Sequence, residues 1–122
     1  MLSLMRKLRN SLLQVAVISA DVMGKGDDEL GKVLIKGFLY ALSQMETHVD
    51  TILFYNGGAK LTTEGSDSIE DLKKMEAEGT EILTCGTCLK HYGLMEKLLV
   101  GKVTDMYTIT ERMMGADKII RS

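Results

Sequence analysis

The sequence predicts an α/β domain built on a mainly parallel sheet with helices on both faces. Three observations carry this. Strand-like and helix-like segments alternate from end to end, the strand-like ones are short and apolar, and glycines rather than prolines separate them. Such alternation requires right-handed crossovers, which lay helices over a parallel sheet. With 122 residues the chain suits one domain spanning 1–122, in which 1–11 is an N-terminal extension.

Residues 13–19 (LQVAVIS) form a β-branched run bounded by Asp21, Gly24 and Gly26, as expected of a strand buried on both faces. Asp27 or Asp28 can cap the next helix, where Leu30, Val33, Leu34, Phe38, Ala41, Leu42 and Met45 recur at helical spacing and are expected to pack on the sheet. Ile35 and Leu39 lie off that stripe, so a second apolar face is expected, buried in a subunit interface as much as in the core, and a homo-oligomer is expected with it. Residues 51–55 (TILFY) read as a strand ending in Asn56-Gly57-Gly58, followed by a solvated polar loop over 60–67. Ser68 starts a helix with Ile69, Leu72 and Met75 inward, Gly79 ends it, and 81–84 (EILT) form a strand delivering Cys85. A short helix over 87–92 closes at Gly93. A helical turn and a short strand fill 94–103, divided by Gly101. Asp105 caps a last helix with Met106, Ile109 and Met113 inward, and 117–120 (DKII) make a closing strand.

Composition excludes several classes. Average usage would supply about six prolines in such a chain and there are none, so no proline-rich linker is available. A net charge of −2, with Arg6, Lys7 and Arg9 as the single basic cluster, gives no footing for nucleic acid. Gln14 and Lys36 interrupt the longest apolar stretches, well short of the roughly 20 residues of a membrane-spanning helix. Basic residues followed by 12–20 loosely imitate a signal peptide, but cleavage there would remove the most strand-like segment, so an extension before the first strand is the preferred reading. Two cysteines three apart suit intracellular redox or metal chemistry better than a secreted disulfide framework, and a cytoplasmic protein is expected.

Ligands of parallel sheets collect beyond the carboxyl ends of the strands. The loops 21–28, 56–67 and 85–88 lie there. Cys85-Gly86-Thr87-Cys88 is the sharpest signal, because a strand-to-helix junction favours a thiolate and Cys88 is one turn from Cys85. Lys90 and His91 would add positive potential. That spacing would let Cys88 resolve a persulfide or sulfenic acid on Cys85 as a disulfide. The alternative is that both cysteines are small buried hydrophobes. Structural zinc needs four ligands, and beyond this pair only His48, His91 and carboxylates are on offer, so no metal is expected. Residues 26–32 (GDDELGK) match part of a P-loop, but Val33 replaces the magnesium-binding hydroxyl and three acidic residues would repel phosphate. Gly24 and Gly26 are therefore turn residues in a loop available to a substrate or partner. Flavin binding carries little weight, and no cofactor is expected. Asn56, Gly57 and Gly58 mark a tight turn whose amides a ligand could use, while Lys60, Thr62, Thr63 and Glu64 are mainly solvated.

The segments VISADVMGKGDDELGKVLIKGFLYAL, ILFYNGGAKLTTEGSDS and EILTCGTCLKHYGL resemble the DsrE-like domain of YedF-type sulfurtransferase-like selenium-metabolism proteins, over about residues 13–121. The resemblance implies a three-layer α/β/α fold with a five-stranded mainly parallel sheet, homo-oligomers, and a sulfur-acceptor role for Cys85, with Cys88 peculiar to the YedF-like pattern. YedF-type proteins commonly carry a TusA-like domain with a CPxP motif. The present sequence has no proline and begins almost at strand one, so the expected sulfur or selenium donor is a separate, TusA-like protein. Two functions follow as expectations: a persulfide or thiol-redox carrier of the sulfur or selenium relay, sulfurtransferase-like in its chemistry, or a non-catalytic oligomeric binding or assembly subunit.

Overall fold

The computed structural model describes residues 12–122, so the expected extension at 1–11 lies outside the described residues. Strand β1 (Gln14–Ile18) leads to helix α1 (Asp28–Gln44), β2 (Thr51–Phe54), a 3-10 segment (Asn56–Thr62), α2 (Ile69–Ala77) and β3 (Glu81–Cys85). Helix α3 (Gly86–His91), a 3-10 turn (Met95–Lys97), β4 (Lys102–Thr104), α4 (Met106–Gly115) and β5 (Lys118–Arg121) complete it. The strands form one sheet in the order β4-β3-β2-β1-β5, with every pairing parallel.

Successive strand side chains point to opposite faces, and the two cores divide accordingly. Ala16, Ile18, Ile52, Phe54 and Ile82 meet Ile35 and Leu39 of α1 and Leu72 and Met75 of α2. Val15, Val17, Leu53, Leu83 and Cys85 meet Ile109 of α4 on the other face. The fold is therefore the expected three-layer α/β/α sandwich. The caps are also as expected: Asp27 accepts from the Glu29 amide at 2.9 Å, and Asp105 from the Thr108 amide at 2.8 Å.

Three expectations fail. Helix α1 is rotated from the expected orientation: Ile35 and Leu39 are buried with Gly31 and Ser43, Phe38 and Leu42 pack against the same core as expected, and Leu30, Val33, Leu34 and Met45, expected inward, are exposed together with Tyr40. Gly31 lets the start of the helix lie close on the preceding loop, since a Cβ there would stand 2.8 Å from the Val22 Cβ. The outward face is the unpartnered apolar one. Second, the expected polar loop is solvated at Lys60 and at Glu64, Gly65 and Asp67, but the end of the 3-10 segment turns inward: Leu61, Thr62 and Thr63 are buried, with the Thr62 hydroxyl donating to the Ala59 carbonyl at 3.2 Å and sharing a 2.9 Å bond with the Thr84 hydroxyl. Buried hydroxyls paired in this way carry little desolvation penalty. Third, Met106 is exposed, and Ile109 alone of α4 is fully buried.

At the amino end of the sheet, Arg112 grips Glu81 with bonds of 2.9 and 3.1 Å. That guanidinium holds the Glu81 carboxyl below the usual carboxylate range. Among the described residues no helix is long and apolar enough to cross a membrane.

Candidate functional site

Strand β3 ends on Cys85, and the register sets Phe54 of β2 opposite Thr84. The two strands therefore leave the sheet side by side, which brings the start of the 3-10 segment against α3. Both cysteines are free thiols, but their environments differ. Cys85 is 2% exposed, packed among Val17, Leu53, Leu83 and Ile109. Cys88 is half-buried at the rim of the same cluster.

The Asn56 amide donates to the Cys88 sulfur at 3.0 Å. Burial pushes the Cys88 thiol above its ordinary pKa, the Asn56 amide pulls it back, and the neighbouring Cys85 thiol pushes it up again. The helix-dipole argument made for Cys85 from sequence is weak here, because α3 is six residues long and too short to sum many peptide dipoles. The fixed donor goes to Cys88 instead. Lys90 and His91 are exposed, and the His91 ring meets Tyr92 edge-on at 5.1 Å rather than facing the sulfurs.

Tyr92 was not foreseen as a site residue. Its hydroxyl donates to the Asn56 side-chain oxygen at 2.9 Å, and the Lys60 ammonium lies 4.7 Å from the centre of its ring. The signal was present in the spacing, since positions four apart on a helix share a face and Cys88 is four before Tyr92. Tyr92 and Lys60 also form part of the wall of a cleft of about 620 Å³ with Asp21, Lys32, Lys36 and Thr63. Lys36 is paired with Asp71 at 2.8 Å.

Of the predicted loop glycines, Gly58 has the tightest place: a Cβ there would stand 2.1 Å from the Ile18 carbonyl oxygen. Gly57 faces Ala20 and Asp21, and Gly86 lies under Val103 with 2.9 Å left for a Cβ. Thr87 is exposed. Gly24 and Gly26, with positive φ of 80° and 143°, have open space around them and are turn residues. The structure thus joins the cysteine loop and the Asn56 loop, and leaves Gly24 and Gly26 apart from the lining of the cleft. Among the described residues, no group of three or more His, Cys, Asp or Glu side chains is placed to hold a metal.

A five-stranded all-parallel sheet between helices defines a three-layer α/β/α domain. The chain belongs to the DsrE/DsrF-like family, whose model matches residues 14–121. Among solved structures it is similar to the ychN protein from E. coli, at 16% identity and TM-score 0.67, covering 91% of this chain and 99% of that one. It is also similar to MTH1491 from Methanobacterium thermoautotrophicum, a protein of unknown function, at 20% identity and TM-score 0.65, covering 89% and 97%. BT1422 from Bacteroides thetaiotaomicron, likewise of unknown function, matches at 12% identity and TM-score 0.58, covering 90% and 95%. No curated protein matches the chain.

Proposed function

We propose that this protein is a sulfur or selenium carrier of a relay, and that the Cys85–Cys88 pair holds the transferred atom as a persulfide or, for selenium, as the corresponding S–Se species. The observation that carries the reading is two free, neighbouring thiols at the carboxyl end of β3 in a chain of the DsrE/DsrF-like family. A thiolate of the pair attacks the outer sulfur of a donor persulfide. The new S–S bond forms as the donor's S–S bond breaks, and the donor departs as a thiolate that takes up the proton released by the attacking thiol. Attack by the second cysteine on the same outer sulfur moves it between the two residues. Attack on the inner sulfur instead gives a Cys85–Cys88 disulfide and expels hydrosulfide, the sulfane sulfur taking the electron pair.

For the donor the YedF-type resemblance suggests a TusA-like protein, and the setting is the cytoplasm. The exposed α1 face bearing Leu30, Val33 and Leu34 joins copies of this chain, since an apolar stripe of that length is rarely left in water.

Loading tests the reading. Protein incubated with glutathione persulfide, alkylated and digested should carry one added sulfur within the peptide holding Cys85 and Cys88, and the double Cys→Ser variant should carry none. Wild-type protein that takes up no sulfur, with both thiols slow to alkylate, would overturn the carrier in favour of a binding or assembly subunit.

A further inference from the structure

We propose that Cys88 is the sulfur that meets the donor and that Asn56 and Tyr92 are its positioning residues, a proposal that deepens the carrier reading and rests on it for the reaction. Cys85 is 2% exposed, so an incoming persulfide reaches Cys88 first.

One contact fixes Cys88, and two more brace the residue that makes it. Asn56 stands in the left-handed region, with φ of 49°, a conformation that asparagine tolerates better than other non-glycine residues. In that conformation its amide points at the Cys88 sulfur, 3.0 Å away. Its side-chain oxygen is held by the Tyr92 hydroxyl at 2.9 Å, and the Tyr92 ring is held in turn under the Lys60 ammonium at 4.7 Å. Helix α3 and the turn that ends it therefore grip one asparagine twice, through a sulfur and through a hydroxyl. A main-chain amide fixed in this way favours the charged form of the sulfur it faces and opposes part of the effect of burial, which still holds the Cys88 thiol above its ordinary value. The one titratable neighbour acting on Cys88 in the opposite sense is Cys85.

The reaction order follows. The Cys88 thiolate takes the outer sulfur from the donor, whose S–S bond breaks and which leaves as a thiolate. The Cys85 thiolate then attacks that same outer sulfur, forming the Cys85 persulfide and returning Cys88 as a thiolate that recovers the proton Cys85 gave up. The sulfur ends where water and small thiols reach it least.

The test is the pH profile of iodoacetamide alkylation at Cys88, read by mass spectrometry on the full chain for wild type, Tyr92→Phe and Asn56→Gly. Tyr92→Phe removes only the hydroxyl, and Asn56→Gly keeps the backbone conformation available while removing the side-chain link. Both should shift the Cys88 midpoint upward and slow its alkylation at neutral pH by about threefold, the effect of weakening one hydrogen bond to the charged form. Both should leave the melting midpoint near that of wild type. A Cys88 profile identical to wild type in both variants would overturn the proposal, as would first loading at Cys85 in a short pulse of glutathione persulfide. Alkylation needs no sulfur donor, so a shifted profile in protein that takes up no sulfur would uphold the positioning roles while removing the carrier reading itself.

Discussion

Replacing Gly58 by alanine should destabilise the protein by about 3 kcal/mol, the upper part of the range for forcing a methyl into filled space, and lower the melting midpoint by about 10 °C. The added Cβ would stand 2.1 Å from the Ile18 carbonyl oxygen and 2.9 Å from its carbonyl carbon. Both are main-chain atoms of a central strand, so the neighbour cannot turn aside as a flexible side chain would. The same carbonyl accepts the Tyr55 amide at 3.2 Å, and Tyr55 immediately precedes Asn56. Relief of the clash must therefore move the residue whose amide faces Cys88. Thermal unfolding reads the first effect and Cys88 alkylation the second. A variant as stable as wild type would mean that the Asn56 loop does not lie on β1 as described.

Helix α1 gives the second large effect. Leu39→Ala should cost about 3 kcal/mol, as expected for emptying a site that is 0% exposed between the helix and the sheet. Val33→Ser, at a position 67% exposed, should change the stability of the monomer by about 0.5 kcal/mol or less. It should instead shift the sedimentation profile toward smaller species, if that face joins copies as proposed. Chemical denaturation of both variants separates the two faces, and the reverse order of stabilities would contradict the observed orientation of α1.

That orientation shows where sequence reasoning runs out. The strands were legible because runs such as VAVI and TILF are β-branched and bounded by turn residues, and the alternation of elements led directly to a parallel sheet. Helix α1 was legible as a helix, with Phe38 and Leu42 packed inward as expected, but its fully buried line through Ile35 and Leu39 lay off the expected stripe. Hydrophobic periodicity counts large side chains, whereas Gly31 and Ser43 also lie on the buried line of this helix, which a hydrophobic count overlooks. The 3-10 segment was hidden for a related reason: Thr62 and Thr63 look solvated, yet paired hydroxyls can be buried at little cost.

The site was legible in its centre and obscure in its shell. The CxxC spacing and the strand before it located the thiols. The resemblance then placed the chain among DsrE-like domains, which the DsrE/DsrF-like family match over residues 14–121 bears out. Which sulfur is open depends on the side-chain alternation of β3, which points Cys85 with Leu83 into the α4 core. The partnership of Asn56 and Tyr92 spans 36 positions in the chain and has no local signature.

The central claim is that these thiols are an exchange site with Cys88 outermost, and the most direct measurement is the rate of iodoacetamide labelling at each cysteine in native protein, with peptides resolved by mass spectrometry. Cys88 should label first, and Cys85 should label at a comparable rate only after denaturation. Protection of both cysteines until unfolding, or prior labelling of Cys85, would contradict the account.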